Sequence, residues 1–128
     1  MFVYYINTPL NLKGCNELER CYEEMLNVYT EELTEEEYMK LRFSKDALFD
    51  EFDKKFDFFI DVCEEEQIQS SQVNEAIQIV LRKKERTTDL VERSGLEKIF
   101  RVLEKAIKAG YFVEFDFHLD FDKIRRNG

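Results

Sequence analysis

From Tyr111 to Phe121 apolar and polar residues alternate without a break. Tyr111, Val113, Phe115, Phe117, Leu119 and Phe121 fall on one side; Phe112, Glu114, Asp116, His118 and Asp120 fall on the other. A period of two is that of a β-strand, and it sets a continuous apolar row against whatever covers one face of a sheet. A single strand is not a stable unit, so this pattern obliges the chain to supply strand partners and a covering layer. Met1–Ile6 (MFVYYI), dense in β-branched and aromatic residues, reads as a second strand. Asn7-Thr8-Pro9 ends it, because proline cannot donate to a ladder.

Helices supply the covering layer. Asn16 reads as the N-cap of a helix running to about Tyr29, with Leu18, Cys21/Tyr22, Met25/Leu26 and Tyr29 on its apolar face. Thr34-Glu35-Glu36-Glu37 is a capping box, with acids in the first turn where the helix dipole favours them. Ser44 gives a third start signal. Ser71 opens a helix with Val73, Ala76/Ile77 and Val80/Leu81 inward and Arg82-Lys83-Lys84 at its C-terminal end. Ser94-Gly95-Leu96-Glu97 reads as a second capping box, starting a helix that Gly110 closes. Lys123–Gly128 reads as a solvated tail.

The segment after Ser44 has two readings. Phe49, Phe52, Phe56, Phe59 and Cys63 form a stripe at helical spacing, flanked by a ridge of Asp46, Asp50, Asp53, Asp57 and Asp61. On that pattern residues 45–66 are one long helix. Phe56, Phe58, Ile60 and Val62 also alternate, which makes a short helix followed by a strand at about 57–63. A third strand would complete a small sheet, and the second reading is preferred for that reason.

Charge separates the two halves. Residues 1–69 hold 18 Asp/Glu against 7 Lys/Arg, a net of −11, while residues 70–128 hold 10 against 12, a net of +2, giving −9 for the chain. Concentrated carboxylates repel one another and suit a basic partner; they disfavour nucleic acid and anionic membrane. The cysteines, Cys15, Cys21 and Cys63, are odd in number and without a CxxC pair, and His118 is the only histidine. Neither a disulfide framework nor a zinc site is expected. No signal-like start and no 18-residue apolar stretch is present, so a single cytoplasmic domain spanning 1–128 is expected.

Two segments carry a resemblance. The run Gly95 to Gly110 (GLEKIFRVLEKAIKAG), followed by YFVEF, is similar to the last helix and strand of the barstar family of intracellular ribonuclease inhibitors. Asp46-Ala47-Leu48-Phe49-Asp50 is similar to that family's inhibitory helix, where two aspartates flank Ala-Leu-Trp. The pieces are collinear and, with the first strand and the helix carrying Leu18, cover about half the chain. The chain departs from the pattern by extra residues around 30–42 and 64–93, by Arg42 and Phe43 where a glycine is expected, and by Arg93 in place of an acid. The resemblance implies an α/β fold: a three-stranded parallel sheet (about 2–6, 57–63 and 111–120) packed with four or five helices. An α+β arrangement, with two terminal strands and a helical middle, is the alternative.

The function implied is an immunity or antitoxin protein that blocks a basic nuclease toxin. Asp46, Phe49, Asp50, Asp53, Asp57 and Glu97 are the expected contacts. Asp46 and Asp50, one helical turn apart, would accept charge-assisted hydrogen bonds from active-site Arg or Lys. The alternatives are a nucleic-acid mimic that inhibits a defence nuclease, and an acidic adaptor. Glu114, Asp116, His118, Asp120 and Asp122 share a strand and resemble a metal cluster, but acids on an exposed strand also prevent sheets from sticking together, and no metal is expected there. With no nucleophile motif and no phosphate-binding loop, neither catalysis nor a cofactor is expected.

Overall fold

The structure, a computed structural model, describes residues 2–20, 24–62 and 65–120. Along the chain run β1 (Phe2–Pro9), α1 (Leu12–Arg20), β2 (Val28–Leu33), α2 (Glu35–Phe43), α3 (Leu48–Phe56), β3 (Glu65–Ile68), α4 (Val73–Arg86), α5 (Leu90–Ala109) and β4 (Val113–Leu119). The strands form one sheet in the order β2-β1-β4-β3, and every neighbouring pair is antiparallel. This corrects the three-stranded parallel sheet; the α+β alternative describes the class, and β2 and β3 are added to its two terminal strands. The reason lies in the connections. A single helix between neighbouring strands returns the chain to run parallel. Here α4 and α5 together cross the sheet twice between β3 and β4, so the chain re-enters from the opposite end.

Local chemistry explains most element boundaries. Pro9 does not cut β1 short: it pairs with Val28 at the far end of the β2 ladder, beyond the Asn7–Glu114 pair where the β4 ladder stops. The first helix starts earlier than Asn16, because the Asn11 side chain accepts from the Gly14 amide at 3.0 Å. It ends as a helix at Arg20, and Tyr29 belongs to β2. Cys21 and Tyr22 lie outside the described residues. The Thr34 capping box forms as read: Thr34 Oγ1 accepts from the Glu37 amide at 3.1 Å and the Thr34 amide donates to Glu37 Oε1 at 2.8 Å.

Ser44 ends α2 instead of starting a helix; its amide and its hydroxyl both donate to the Lys40 carbonyl. Helix α3 then spans only nine residues and stops at Asp57, whose backbone is left-handed (φ 54°). Neither the long helix 45–66 nor a strand at 57–63 forms. The irregular stretch after Asp57 is pinned by Asp53, which accepts from the Ile60 amide at 2.8 Å, and by Arg42, which donates to the Ile60 carbonyl. The third strand is displaced to Glu65–Ile68 and runs antiparallel to β4; Cys63 lies outside the described residues.

Ser71 does not cap α4. It sits in a 3₁₀ turn (Ser70–Gln72), whose entry is closed by the Gln69 amide donating to Gln72 Oε1 at 3.0 Å. Helix α5 begins at Leu90, where Asp89 accepts from the amides of Val91 and Glu92, both at 2.9 Å. Ser94 is therefore mid-helix, and its hydroxyl donates to Glu37 on α2 at 2.5 Å. Beside it, Gly95 lets the two helices close: a Cβ there would lie 2.9 Å from Leu41 Cδ1. Gly110 closes α5 at φ 84°, a conformation that suits glycine. The solvated tail read at Lys123–Gly128 lies outside the described residues.

Helices α2 to α5 cover one face of the sheet. Tyr4, Ile6, Val113, Phe115 and Phe117 meet Leu41, Phe49, Phe52, Leu96, Ile99 and Leu103 in one buried cluster. Tyr4 stacks on Tyr38 with ring centroids 4.3 Å apart, and Phe49 packs edge-on against Phe115 at 5.9 Å. Among the described residues the helix on the other face is α1, which lies against β1 and β2. The acids of the β4 polar row are thus on a central strand and not at an edge. The edges carry Glu31 and Glu32 on β2, and Glu65 and Glu66 on β3, where charge discourages pairing with another sheet. Among the described residues no helix is long and apolar enough to cross a membrane.

Candidate functional site

The acids expected to face a partner divide into groups that the fold keeps for itself and groups left scattered. Phe49 is completely buried, so the surface of α3 does not include it. Asp50 and Asp53 converge on the buried Arg42 guanidinium, at 2.6 and 2.9 Å. Two carboxylates on one guanidinium satisfy a charge that burial would otherwise leave isolated. Asp46 precedes the helix in a left-handed conformation (φ 55°), so it does not stand one helical turn from Asp50. Lys83 donates to its backbone carbonyl. Asp57 is exposed at the end of α3. Glu97 is on α5, 3.5 Å from Lys84. The structure brings Asp50 and Asp53 together, but as ligands of the protein's own arginine.

A different array forms on the open face of the sheet. The register sets Asn7 beside Glu114 and Glu114 beside Gln67, with Tyr5, Asp116 and Glu65 in the next row. Above them α1 contributes Cys15, Leu18 and Glu19, and Met25 follows from the connection to β2. Between sheet and helix lies an open cleft of about 810 Å³, within the range of about 300–1,000 Å³ in which proteins hold small organic ligands. Among the described residues no lysine or arginine lines it.

The electrostatics follow from that composition. Burial, reinforced by the nearby charges of Asp116 and Glu65, pushes the Glu114 carboxyl above its usual range, against the hydrogen bonds from Asn7 and Gln67. Thr30 Oγ1 donates to Asn7 Oδ1 at 2.6 Å, which fixes the amide so that its Nδ2 faces Glu114 at 3.5 Å. Asp116 is 2.9 Å from His118 Nδ1, and the His118 ring lies 5.8 Å from that of Tyr5. Like-charged carboxylates held in a half-buried cleft attract a cation. Among the described residues no three His, Cys, Asp or Glu side chains are arranged to hold a metal ion; Asp122 lies outside those residues.

The polar positions of β4 were visible in the alternation, but they suggested a metal row or a protected edge. Glu65, Gln67, Asn7 and Tyr5 were missed. Their only signal was parity within strands whose pairing is set by distant residues. No protein-family model, no curated protein and no solved structure matches this chain.

Proposed function

We propose that this chain is a cytoplasmic binding protein for a basic protein partner, acting as an immunity or antitoxin protein does towards a nuclease toxin. Its contact surface is the carboxylate-lined open face of the sheet. One contrast carries the reading: the acids of α3 are paired with the protein's own cations, Asp50 and Asp53 with Arg42 and Glu51 with Arg82 and Lys83, whereas Glu65, Glu114 and Asp116 share a cleft that no lysine or arginine lines among the described residues. Carboxylates with no lysine or arginine beside them steer a basic partner over a distance of about 10 Å at 0.1 M salt and exchange charge-assisted hydrogen bonds on contact. A guanidinium or ammonium from a nuclease active site, normally aimed at phosphate, is a group such a cleft would accept.

The test mixes the purified protein with any basic nuclease found encoded beside its gene and follows nucleic-acid cleavage. Wild type abolishes cleavage at one equivalent. The E65Q/E114Q/D116N variant loses that inhibition, and D46A/D50A retains it. Inhibition that survives loss of the three open-face acids would overturn the assignment of the surface. Absence of any complex would overturn the function.

A further inference from the structure

The two sides of the cleft differ chemically. Its floor, drawn from β1, β4 and β3, is polar and acidic through Asn7, Glu114, Asp116 and Glu65; its roof, from α1 and the segment after it, sets the apolar Leu18 and Met25 beside Cys15 and Glu19. A compact hydrated cation would use the carboxylates and leave Leu18 and Met25 without a contact. An uncharged apolar group would use only the apolar side chains and would leave Glu114 beside Asp116 and Glu65 with no lysine or arginine among the described residues to offset their charge. A cation at the tip of an alkyl chain satisfies both, with its stem along Leu18 and Met25 and its head between the carboxylates.

Resting on the proposed binding of a basic protein, we infer that the cleft is a receptor for one lysine or arginine side chain of the partner, seated between Glu114 and Asp116. The volume, about 810 Å³, accommodates such a side chain with its flanking residues. Asn7, anchored through Thr30, holds Glu114 from one side. On the other side Glu65 stands directly across from Asp116 in the β3–β4 ladder. The head group thus meets carboxylates contributed by neighbouring strands of a rigid sheet.

Isotope-labelled full chain titrated with Nα-acetyl-lysine amide, Nα-acetyl-arginine amide and the uncharged isostere Nα-acetyl-norleucine amide tests this by NMR. The cationic amides give saturable shifts at Asn7, Thr30, Glu114 and His118, and norleucine amide binds at least about tenfold more weakly. E114Q weakens the cationic amides about tenfold and L18A weakens them several-fold, while both variants keep the wild-type spectrum elsewhere. Putrescine, a free diamine without a peptide, binds no tighter than the amides; tighter binding by more than about tenfold would make the ligand a free polyamine and overturn the inference. No saturable shift with either cationic amide, while the nuclease complex still depends on Glu114 and Asp116, overturns the side-chain receptor and leaves the proposed function standing. Saturable amide binding with a nuclease complex indifferent to those residues supports the receptor and overturns the proposed function.

Discussion

The two faces of the sheet treat carboxylates in opposite ways. Under the helices, Glu37 is buried yet its carboxyl lies below the usual range: burial alone would raise it, but hydrogen bonds from Lys98, Ser94 and the Thr34 amide outweigh that. Glu31, bonded to Arg101 at 3.0 Å, is lowered as well, first by that hydrogen bond. On the open face Glu114 is raised, because burial and its acidic neighbours act together. The same residue type is thus a structural fastener held by cations on one side and, on the other, a carboxyl held only by the neutral amides of Asn7 and Gln67. The proposed partner would bring its cation to the side of the sheet where the carboxylates have none.

That comparison can be broken, beginning with the largest expected effect. Phe49→Ala removes a fully buried ring from the covered face and lowers unfolding free energy by about 3–5 kcal/mol in urea titrations. Tyr5→Ala on the open face costs clearly less; equal losses would mean that the open face is part of the core. Arg42→Met strips the guanidinium from Asp50 and Asp53 and from the Ile60 carbonyl, costing about 3 kcal/mol. A neutral outcome would show that these aspartates are free for a partner after all. Gly95→Ala presses a methyl group against Leu41 and costs about 1–3 kcal/mol, measured by thermal unfolding.

The smallest effect is in pH dependence, where the two faces differ in sign. Glu31 and Glu37, with lowered folded values, contribute stability that is present above the ordinary carboxylate range and lost as pH falls through their folded values. Glu114, with a raised folded value, does the reverse: its contribution is complete below the ordinary range and is lost as pH rises through the raised value. E114Q is therefore more stable than wild type at neutral pH, by less than about 1 kcal/mol, and gains nothing at pH 3. Denaturant midpoints at the two pH values check this, and a loss of stability at neutral pH would contradict the sign.

What could be read before folding was local. The alternation of β4, the Thr34 box, the apolar stripe of α4 (with Ile79 buried where Leu81 was expected) and the closing Gly110 all depend on neighbours within a turn or two. The errors came where distant contacts decide. Leu18, Met25 and Tyr29 keep helical spacing across a break that the β1–β2 pairing imposes. Ser94 carried a start signal, yet α5 begins at Leu90 because the Asp89 side chain takes two amides and frees Ser94 to bond Glu37. Strand direction could not be read from β1 and β4, since α4 and α5 together determine how the chain returns. The aspartate ridge was visible as spacing; the pairing of Asp50 and Asp53 with Arg42 required the turn between α2 and α3, which left-handed Asp46 helps to make.

Carboxyl footprinting tests the central claim most directly. Solvent-accessible Asp and Glu are labelled with carbodiimide and an amine, with and without the nuclease, and quantified by mass spectrometry. Labelling of Glu65, Glu114 and Asp116 falls on complex formation while that of Asp46 and Asp57 stays constant. Protection confined to Asp46, Asp50 and Asp57, with the sheet acids labelled as in the free protein, would contradict the account.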